Sequence, residues 1–220
     1  MAQQARSEAT RRKILTAAME LFDENGYTNT GLGDIIERAQ LTKGALYYHF
    51  DSKESLADAI ITEGAIAVFT AIDAIHHSTA PALESLIHSS FVVGEIVTND
   101  PMARTGSQLM RALAEFNSTA NQTYAGMCAV LVDQARQATT EGDLLADVDP
   151  EALAELLLSS YLGAELMSIG PTATDGLATR MRRIWSVLVP RLVDPASVPY
   201  FMEFLEREAL RQLPPARADT

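Results

Sequence analysis

Cysteine is nearly absent from this sequence, since Cys128 is the single one among 220 residues. One cysteine cannot form a disulfide within the chain, so we expect a fold held by its apolar core and a reducing, cytoplasmic setting. Long apolar runs are also absent. The longest are far shorter than the roughly 18 apolar residues of a membrane-spanning helix, so no membrane partner is expected. The N-terminal residues are polar and charged, which argues against a secretory signal peptide.

Positive charge is scarce as well. The chain carries 17 Lys and Arg against 29 Asp and Glu, a net charge of −12. Residues 1–55 hold seven basic and eight acidic side chains and are therefore near neutrality, whereas residues 56–220 carry about −11. An acidic body repels nucleic acid, so any contact with DNA must be local to the N-terminal part. Overall charge alone does not indicate a DNA-binding protein.

The usual sequence signs of catalysis are missing. There is no nucleophile–base pair, no glycine-rich phosphate loop and no pair of carboxylates at a defined spacing. His76, His77 and His88 do not predict a metal site, because adjacent histidines on a helix point apart and no Cys, Asp or Glu is spaced to complete the ligand set. We therefore expect neither cofactor nor metal. An enzyme or a small-molecule carrier built on a helical body is the alternative to a DNA-binding protein.

A helical period of 3.6 residues is present almost everywhere, and no segment alternates with the period of two typical of a strand. The pattern predicts an all-α fold of nine or ten helices, with a three-helix head on a C-terminal helical bundle. The expected helices cover about 7–25, 30–39, 42–50, 52–77, 81–99, 101–116, 119–140, 150–170, 175–192 and 195–210. Ser7, Thr30 and Thr42 are predicted N-caps, and Gly26 is expected to end the first helix.

Three functional regions follow from this pattern. Residues 1–53 are predicted to form a helix-turn-helix DNA-binding domain. Residues 54–213 are predicted to bind a ligand and to dimerise. The proline-containing tail, residues 214–220, is expected to be disordered. The boundary near residue 53 is where short helices give way to long ones.

The second and third predicted helices have the geometry of a helix-turn-helix, whose second helix enters the major groove. That helix opens Thr42-Lys43-Gly44-Ala45. The Thr42 hydroxyl suits a phosphate contact, Lys43 can reach a guanine edge or a phosphate, and the small Gly44 and Ala45 allow close approach to the duplex. We also expect DNA contacts from Thr30, Tyr47, Tyr48, His49 and Lys53. For Tyr47, packing against the first helix is the alternative, and for His49 a helix-end histidine is equally favoured.

These residues carry a resemblance. The pattern consists of Ile14-Leu15-x-Ala17-Ala18-x-x-Leu21-Phe22-x-x-x-Gly26-Tyr27, followed by Asp34-Ile35 and then by Leu41 through Phe50, Ser52-Lys53-Glu54 and Leu56. This pattern resembles the tetracycline-repressor (TetR) family. The resemblance implies a homodimer, an all-helical fold, a double-stranded DNA operator and release by a small-molecule effector. Gln40 stands where the family usually has glycine, and Gly31 stands where it usually has serine or a β-branched residue. A positive φ at Gln40 would cost on the order of 1 kcal/mol.

A narrower resemblance is to the γ-butyrolactone receptors of filamentous bacteria. It rests on Thr42 through Phe50, on Leu131-x-Asp133-x-x-Arg136-Gln137 before Asp147-Val148-Asp149, and on Met181-x-x-Ile184-Trp185-x-x-Leu188. The resemblance implies control of secondary metabolism or antibiotic production. These receptors usually carry a tryptophan a little before the Leu-x-Asp stretch, where this chain has Tyr124.

The ligand site is predicted on a helix that places Tyr124, Met127, Cys128 and Leu131 on one face. Phe91, Leu109, Met110 and Tyr161 lie on neighbouring predicted helices and complete the set. Such a stripe is more often protein core than ligand cavity, and for Trp185 we favour core or interface. The preferred hypothesis is a homodimeric repressor released by a small, mostly apolar signal. The alternative within the same class is a multidrug-sensing repressor of an efflux pump.

Overall fold

A computed structural model describes residues 2–169 and 173–211 of the chain. These residues form ten α-helices and no β-strand, which confirms the all-α prediction. The helices are α1 (Ala2–Asn25), α2 (Leu32–Arg38), α3 (Lys43–His49), α4 (Lys53–His76), α5 (Ala82–Asn99), α6 (Pro101–Leu113), α7 (Ser118–Glu141), α8 (Pro150–Met167), α9 (Leu177–Leu192) and α10 (Val198–Arg211). The tail expected to be disordered, residues 214–220, lies outside the described residues.

Local capping chemistry sets several of these helix ends. The Thr42 side chain accepts a hydrogen bond from the backbone N–H of Ala45 (3.2 Å) and so caps α3, as predicted. Asp149 caps α8 in the same way. Gly26 follows α1 with a φ of 78°, a left-handed conformation that favours glycine and ends the helix. Side-chain acceptors and a left-handed glycine are thus sufficient to fix these three boundaries from sequence.

Two predicted caps are wrong. Ser7 does not begin α1, because the helix starts at Ala2 and the preceding Ala, Gln and Arg residues are good helix formers. Thr30 does not cap α2, since Gly31 occupies the N-cap position and donates its backbone N–H to the Asp34 carboxylate (2.8 Å). The Thr30 hydroxyl turns inward instead.

The chain forms two compact units that cut across its long helices. The first unit contains Met1–Val68 and Val97–Thr123, so that α6 belongs with the N-terminal helices α1, α2 and α3. Its core includes the fully buried Ile14, Ile35, Leu46, Leu56 and Ile60. The functional boundary near residue 53 stays a prediction.

Within the first unit, α4 and α6 approach each other closely at glycines. A Cβ added to Gly64 would lie 2.7 Å from the carbonyl oxygen of Met102, and one added to Gly106 would lie 3.1 Å from that of Ile60. By length and composition α4 is apolar enough to cross a membrane. However, four of its apolar side chains, Leu56, Ala57, Ile60 and Ile61, are completely buried, as expected of a core helix.

The second unit contains Phe69–Ile96 and Tyr124–Thr220. Its core is built around Trp185, which has no exposed surface, together with residues of α5, α8, α9 and α10. The Trp185 indole N–H donates to the hydroxyl of Ser90 (2.9 Å), which satisfies the polar edge of the buried ring. Trp185 is therefore a core residue, in agreement with the sequence-based interpretation.

Candidate functional site

The turn between α2 and α3 gives the helix-turn-helix its angle. Gln40 has a φ of 53°, the single positive φ among non-glycine residues that the structure describes. The turn is closed by backbone hydrogen bonds from Gln40 to Glu37 (3.0 Å) and from Leu41 to Ile36 (3.1 Å). The strained conformation expected at Gln40 is thus present, and the chain turns here without the usual glycine.

Helix α3 is divided into a buried face and an exposed face. Leu46 is completely buried and Phe50, just after the helix, is 4% exposed, so both anchor α3 to the core of the first unit. The candidate DNA-binding residues lie on the outer side, where Thr42, Lys43, Gly44, Tyr47 and Tyr48 are exposed and Ala45 and His49 are half-buried. This arrangement presents the Lys43 end of a short, well-anchored helix to solvent.

Two ring contacts order side chains on the exposed face. The Lys43 ammonium lies over the Tyr47 ring, 5.6 Å from its centroid, which is within the range of a cation–π interaction. Tyr48 is 79% exposed, and its ring meets that of His49 edge-on at 5.0 Å. Tyr47 therefore positions Lys43 as well as offering its own hydroxyl.

Lys53 and Thr30, both predicted to contact DNA, are engaged inside the first unit. The Lys53 ammonium donates to the carbonyl oxygens of Tyr27 (2.8 Å) and Thr30 (2.9 Å) and lies 4.3 Å from the centroid of the Tyr27 ring. The Thr30 side chain is 2% exposed and donates to the carbonyl oxygen of Gly26 (2.9 Å). This geometry favours a positioning role for both residues over the predicted direct DNA contacts.

Two other cations of the first unit, Arg11 and Arg38, are paired with carboxylates. Arg11 contacts Glu63 at 2.5 Å, and Arg38 contacts Glu24 at 2.7 Å and Glu20 at 3.2 Å. The hydrogen bond from Arg38 lowers the pKa of Glu24 and keeps that carboxylate ionised. The ion pairs link α1 to α2 and α4, and sequence spacing could not have shown them because the partners are 14 or more residues apart.

The predicted ligand residues fall into two groups. Phe91 is 1% exposed in the core of the second unit, and Leu131 and Tyr161 pack partly buried against the same core. The half-buried Tyr124, Met127 and Cys128 belong to the same unit on α7. Leu109 and Met110, however, are buried in α6 and belong to the first unit. The structure therefore brings Phe91, Leu131 and Tyr161 into the core of the second unit, whereas Leu109 and Met110 are buried within the first unit.

The charge beside the predicted ligand helix is largely compensated. Arg136, on the C-terminal half of α7, forms an ion pair with Glu151 and lies 3.9 Å from the Asp133 carboxylate. Among the described residues, no group of three His, Cys, Asp or Glu side chains is arranged to hold a metal ion. The predicted ligand stripe of α7, which consists of Tyr124, Met127, Cys128 and Leu131, is apolar apart from the phenol of Tyr124 and the thiol of Cys128.

Two family models match this chain. The one described as bacterial regulatory proteins, tetR family, matches residues 14–60. The one described as tetracyclin repressor-like, C-terminal domain, matches residues 80–194, which is more than half of the chain. The first match covers the helix-turn-helix and the start of α4. The second includes all of α5, α6, α7, α8 and α9.

Similar proteins of known identity agree with these matches. The A-factor receptor protein of Streptomyces griseus is 27% identical over 198 residues, which are 90% of this chain and 69% of that protein. A gamma-butyrolactone receptor (ArpA-like protein) of known structure is 25% identical, with a TM-score of 0.79 over 94% of this chain and all of that one. The TetR-family protein CprB from Streptomyces coelicolor, in complex with its biological operator sequence, is 25% identical, with a TM-score of 0.78 and the same coverage.

Proposed function

Because this chain belongs to the tetR family of bacterial regulatory proteins, we propose that it is a ligand-responsive transcriptional repressor. It acts in the cytoplasm, binds a pseudo-palindromic operator as a homodimer, and leaves the operator when a small apolar molecule binds. The observation that carries this proposal is the α3 surface, on which Lys43, Tyr47 and Tyr48 are exposed above the buried Leu46 and Phe50. No described group suggests catalysis, and the relatives are regulators.

Sequence reading belongs to the N-terminal end of α3, since recognition helices contact base edges with their first residues. Lys43 is the first residue of the helix, and its ammonium can donate to the O6 and N7 atoms of guanine or to a phosphate. Gly44 has no atom within 4 Å of a built Cβ, so its smallness serves no packing purpose inside the protein. A close approach of the DNA backbone explains a glycine at this position.

The homodimer is supported by apolar surface on α8 and α9. Leu166, Met167 and Val187 are 62%, 63% and 71% exposed, and Leu156 is 46% exposed. Leu153 and Leu157 of α8 are buried within the protomer and are therefore not part of this surface. Two helices from each of two copies make a four-helix interface, and this covers side chains that are otherwise left in water.

The effector is proposed to be a γ-butyrolactone or a furan-like molecule, and the genes it controls are proposed to serve secondary metabolism or antibiotic production. Two observations support a neutral, mostly apolar ligand. The half-buried face of α7 carries Tyr124, Met127 and Cys128, and the nearby Arg136 is already paired with Glu151. The relatives that are named as γ-butyrolactone receptors suggest the lactone.

Operator binding by full-length protein tests the DNA half of this proposal. A fluorescein-labelled duplex selected by the wild type is titrated with Lys43→Ala and, as a matched control, with Arg182→Gln in α9. Loss of Lys43 should weaken binding by about 1–3 kcal/mol and relax one position of the site, whereas the control should bind normally. Equal affinities for Lys43→Ala and wild type would remove Lys43 from the interface.

Ligand-induced release from the operator tests the ligand-binding half of this proposal. An acyl-substituted γ-butyrolactone is added to the protein–operator complex, with the ring-opened hydroxy acid as a charged control of the same skeleton. The lactone should release the wild type, and Tyr124→Ala should require more lactone while its operator affinity is unchanged. Release by a lipophilic cationic dye, but not by the lactone, would favour the multidrug sensor instead. Release of Tyr124→Ala at the wild-type concentration would place Tyr124 in the core.

A further inference from the structure

The basic side chains in residues 1–55 are not equivalent. Arg11 and Arg38 are held by carboxylates, and Lys53 is held by backbone carbonyls. The remaining four form no ion pair with any residue that the structure describes, and they are Arg6, Arg12, Lys13 and Lys43. Lys43 is the proposed base-reading residue, so three cations on α1 are left without an assigned partner.

These three cations share one side of α1. Arg6 and Lys13 are seven residues apart and therefore lie on the same helical stripe, with Arg12 beside it. All three are exposed. Helix α1 begins at Ala2, which is earlier than the start predicted at Ser7. Arg6 is therefore part of a regular helix.

A groove of about 470 Å³ lies directly beside this stripe, within the first unit. One wall is α1, through Arg12, Lys13, Thr16 and Glu20, and the other is the end of α2 and the turn, through Arg38 and Gln40. Glu20 is the one carboxylate among the lining residues, and it is engaged by Arg38. The groove therefore has positive charge at one end that no carboxylate of its lining neutralises.

The position of the groove along the chain indicates what binds there. Its far wall ends at Gln40, two residues before the N-cap of α3 and three before Lys43. In the proposed complex, the DNA strand whose bases face Lys43 continues past the turn that precedes α3. Phosphates supply about half or more of the hydrogen bonds in protein–DNA complexes, and exposed Arg and Lys are their usual donors.

We infer that Arg12 and Lys13 form a second DNA contact, which binds backbone phosphates flanking the bases read by α3. Arg6 extends the same positive stripe by about two turns along α1. The contact carries no sequence information. It adds affinity and salt dependence, and it lengthens the DNA segment that each protomer needs. This inference rests on the proposed DNA-binding function and names additional residues for it.

The salt dependence of operator binding tests this inference. Full-length Arg12→Gln/Lys13→Gln is compared with wild type on the selected operator and on a scrambled duplex, over a series of salt concentrations. Each phosphate contact contributes about 0.9 to the slope of log K against log salt, so the variant should lose about 1.8 per bound protomer. Its affinity should fall by the same factor on both duplexes, because phosphate contacts do not discriminate sequence.

Two controls separate a phosphate contact from other causes. Arg182→Gln/Arg207→Gln changes the net charge equally at exposed ion pairs of α9 and α10, and it should leave the slope unchanged. The charge-conserving Arg12→Lys/Lys13→Arg should bind nearly as the wild type does. The operator is also shortened from each end, one base pair at a time. At some length, shortening should weaken DNA binding by the wild type but cause no further loss of affinity in Arg12→Gln/Lys13→Gln.

An unchanged slope in Arg12→Gln/Lys13→Gln would overturn the inference, and so would a fall in affinity confined to the operator. An equal loss in the net-charge control would show a general electrostatic effect and would overturn it as well. These outcomes are distinct from a failure of the proposed function, in which wild-type protein would select no operator and Lys43→Ala would have no effect.

Discussion

Gln40 adopts a backbone conformation that glycine would adopt at lower cost, and the fold accommodates it. Its φ of 53° lies in the left-handed region, where a side chain with a Cβ costs on the order of 1 kcal/mol relative to glycine. The turn nevertheless forms, because Leu46, Ile35 and Phe50 are buried on either side of it and fix the two helices in place. Tertiary packing thus outweighs the strain of one residue.

Replacing Gln40 should relieve that strain in a graded way. Gln40→Gly should raise the free energy of unfolding by up to about 1 kcal/mol, Gln40→Asn should raise it by less because asparagine tolerates the left-handed region, and Gln40→Val should lower it. Urea titration measures the effect as a shift in midpoint at constant slope. A Gly variant no more stable than the Val variant would show that the strain is absent in solution.

The sequence was sufficient to assign the roles of some residues but not of others. The roles of Thr42 and Leu46 follow from local spacing, since a cap and a buried anchor depend on neighbours within one helix. Lys53 was interpreted as a phosphate ligand, yet its acceptors are carbonyls of residues 23 to 26 positions earlier in the chain. Contacts over that sequence distance depend on the folded arrangement, and no local pattern encodes them.

At the scale of helices, the contact of α4 with α6 depends on two glycines. Gly64 and Gly106 face each other, and a Cβ on Gly106 would lie 3.6 Å from the Cα of Gly64. With side chains at both positions the two backbones could not come so close. The glycines therefore hold α6 against α4 in the unit that also carries the helix-turn-helix.

Gly64→Ala should consequently destabilise the protein although alanine is the better helix former. The new methyl group would meet the backbone of Met102 at 2.7 Å, and overpacking of this kind costs about 1–3 kcal/mol. Gly33→Ala in α2 is the matched control, because nothing lies within 4 Å of its built Cβ, and it should leave stability unchanged or slightly raised. Thermal unfolding of both variants would decide the point, and equal melting temperatures would contradict the packing account.

Helix periodicity predicted each of the ten helices but not which helices belong together. The apolar pattern of α6 indicates only that one face is buried, and its residues Leu109 and Met110 were interpreted as lining a ligand site. They pack in the first unit because the glycines bring α6 to α4 there. Backbone approach at a glycine leaves no hydrophobic signal in the sequence, and so this placement could not be predicted.

At the scale of the whole molecule, the account requires two copies of the chain. A recognition helix of seven residues reads only a short half-site, and two of them must be held about 34 Å apart, or a multiple of this, to read successive turns of one groove. The exposed apolar side chains of α8 and α9 are the surface proposed to hold them. Disrupting that surface should therefore affect both assembly and operator binding.

Val187→Glu tests the proposed interface in the full-length protein. Val187 is 71% exposed, so the substitution should leave the protomer folded while it places a charge in the proposed four-helix contact. Sedimentation velocity should show a shift from dimer toward monomer, and operator affinity should fall with it. Leu210→Glu, at a 63% exposed leucine of α10, is the control and should remain dimeric. A fully dimeric Val187→Glu would move the interface to another surface.

The central claim is that two copies of this chain read a two-fold symmetric DNA site through the Lys43 end of α3. Selection of duplexes from a random library by the full-length protein measures this most directly. The account predicts an enriched inverted repeat whose half-site centres are about 10–10.5 base pairs, or a multiple of that, apart. It also predicts that Lys43→Ala enriches the repeat weakly, with one position relaxed. Enrichment of no sequence, or of a single asymmetric site that Lys43→Ala selects equally well, would contradict the account.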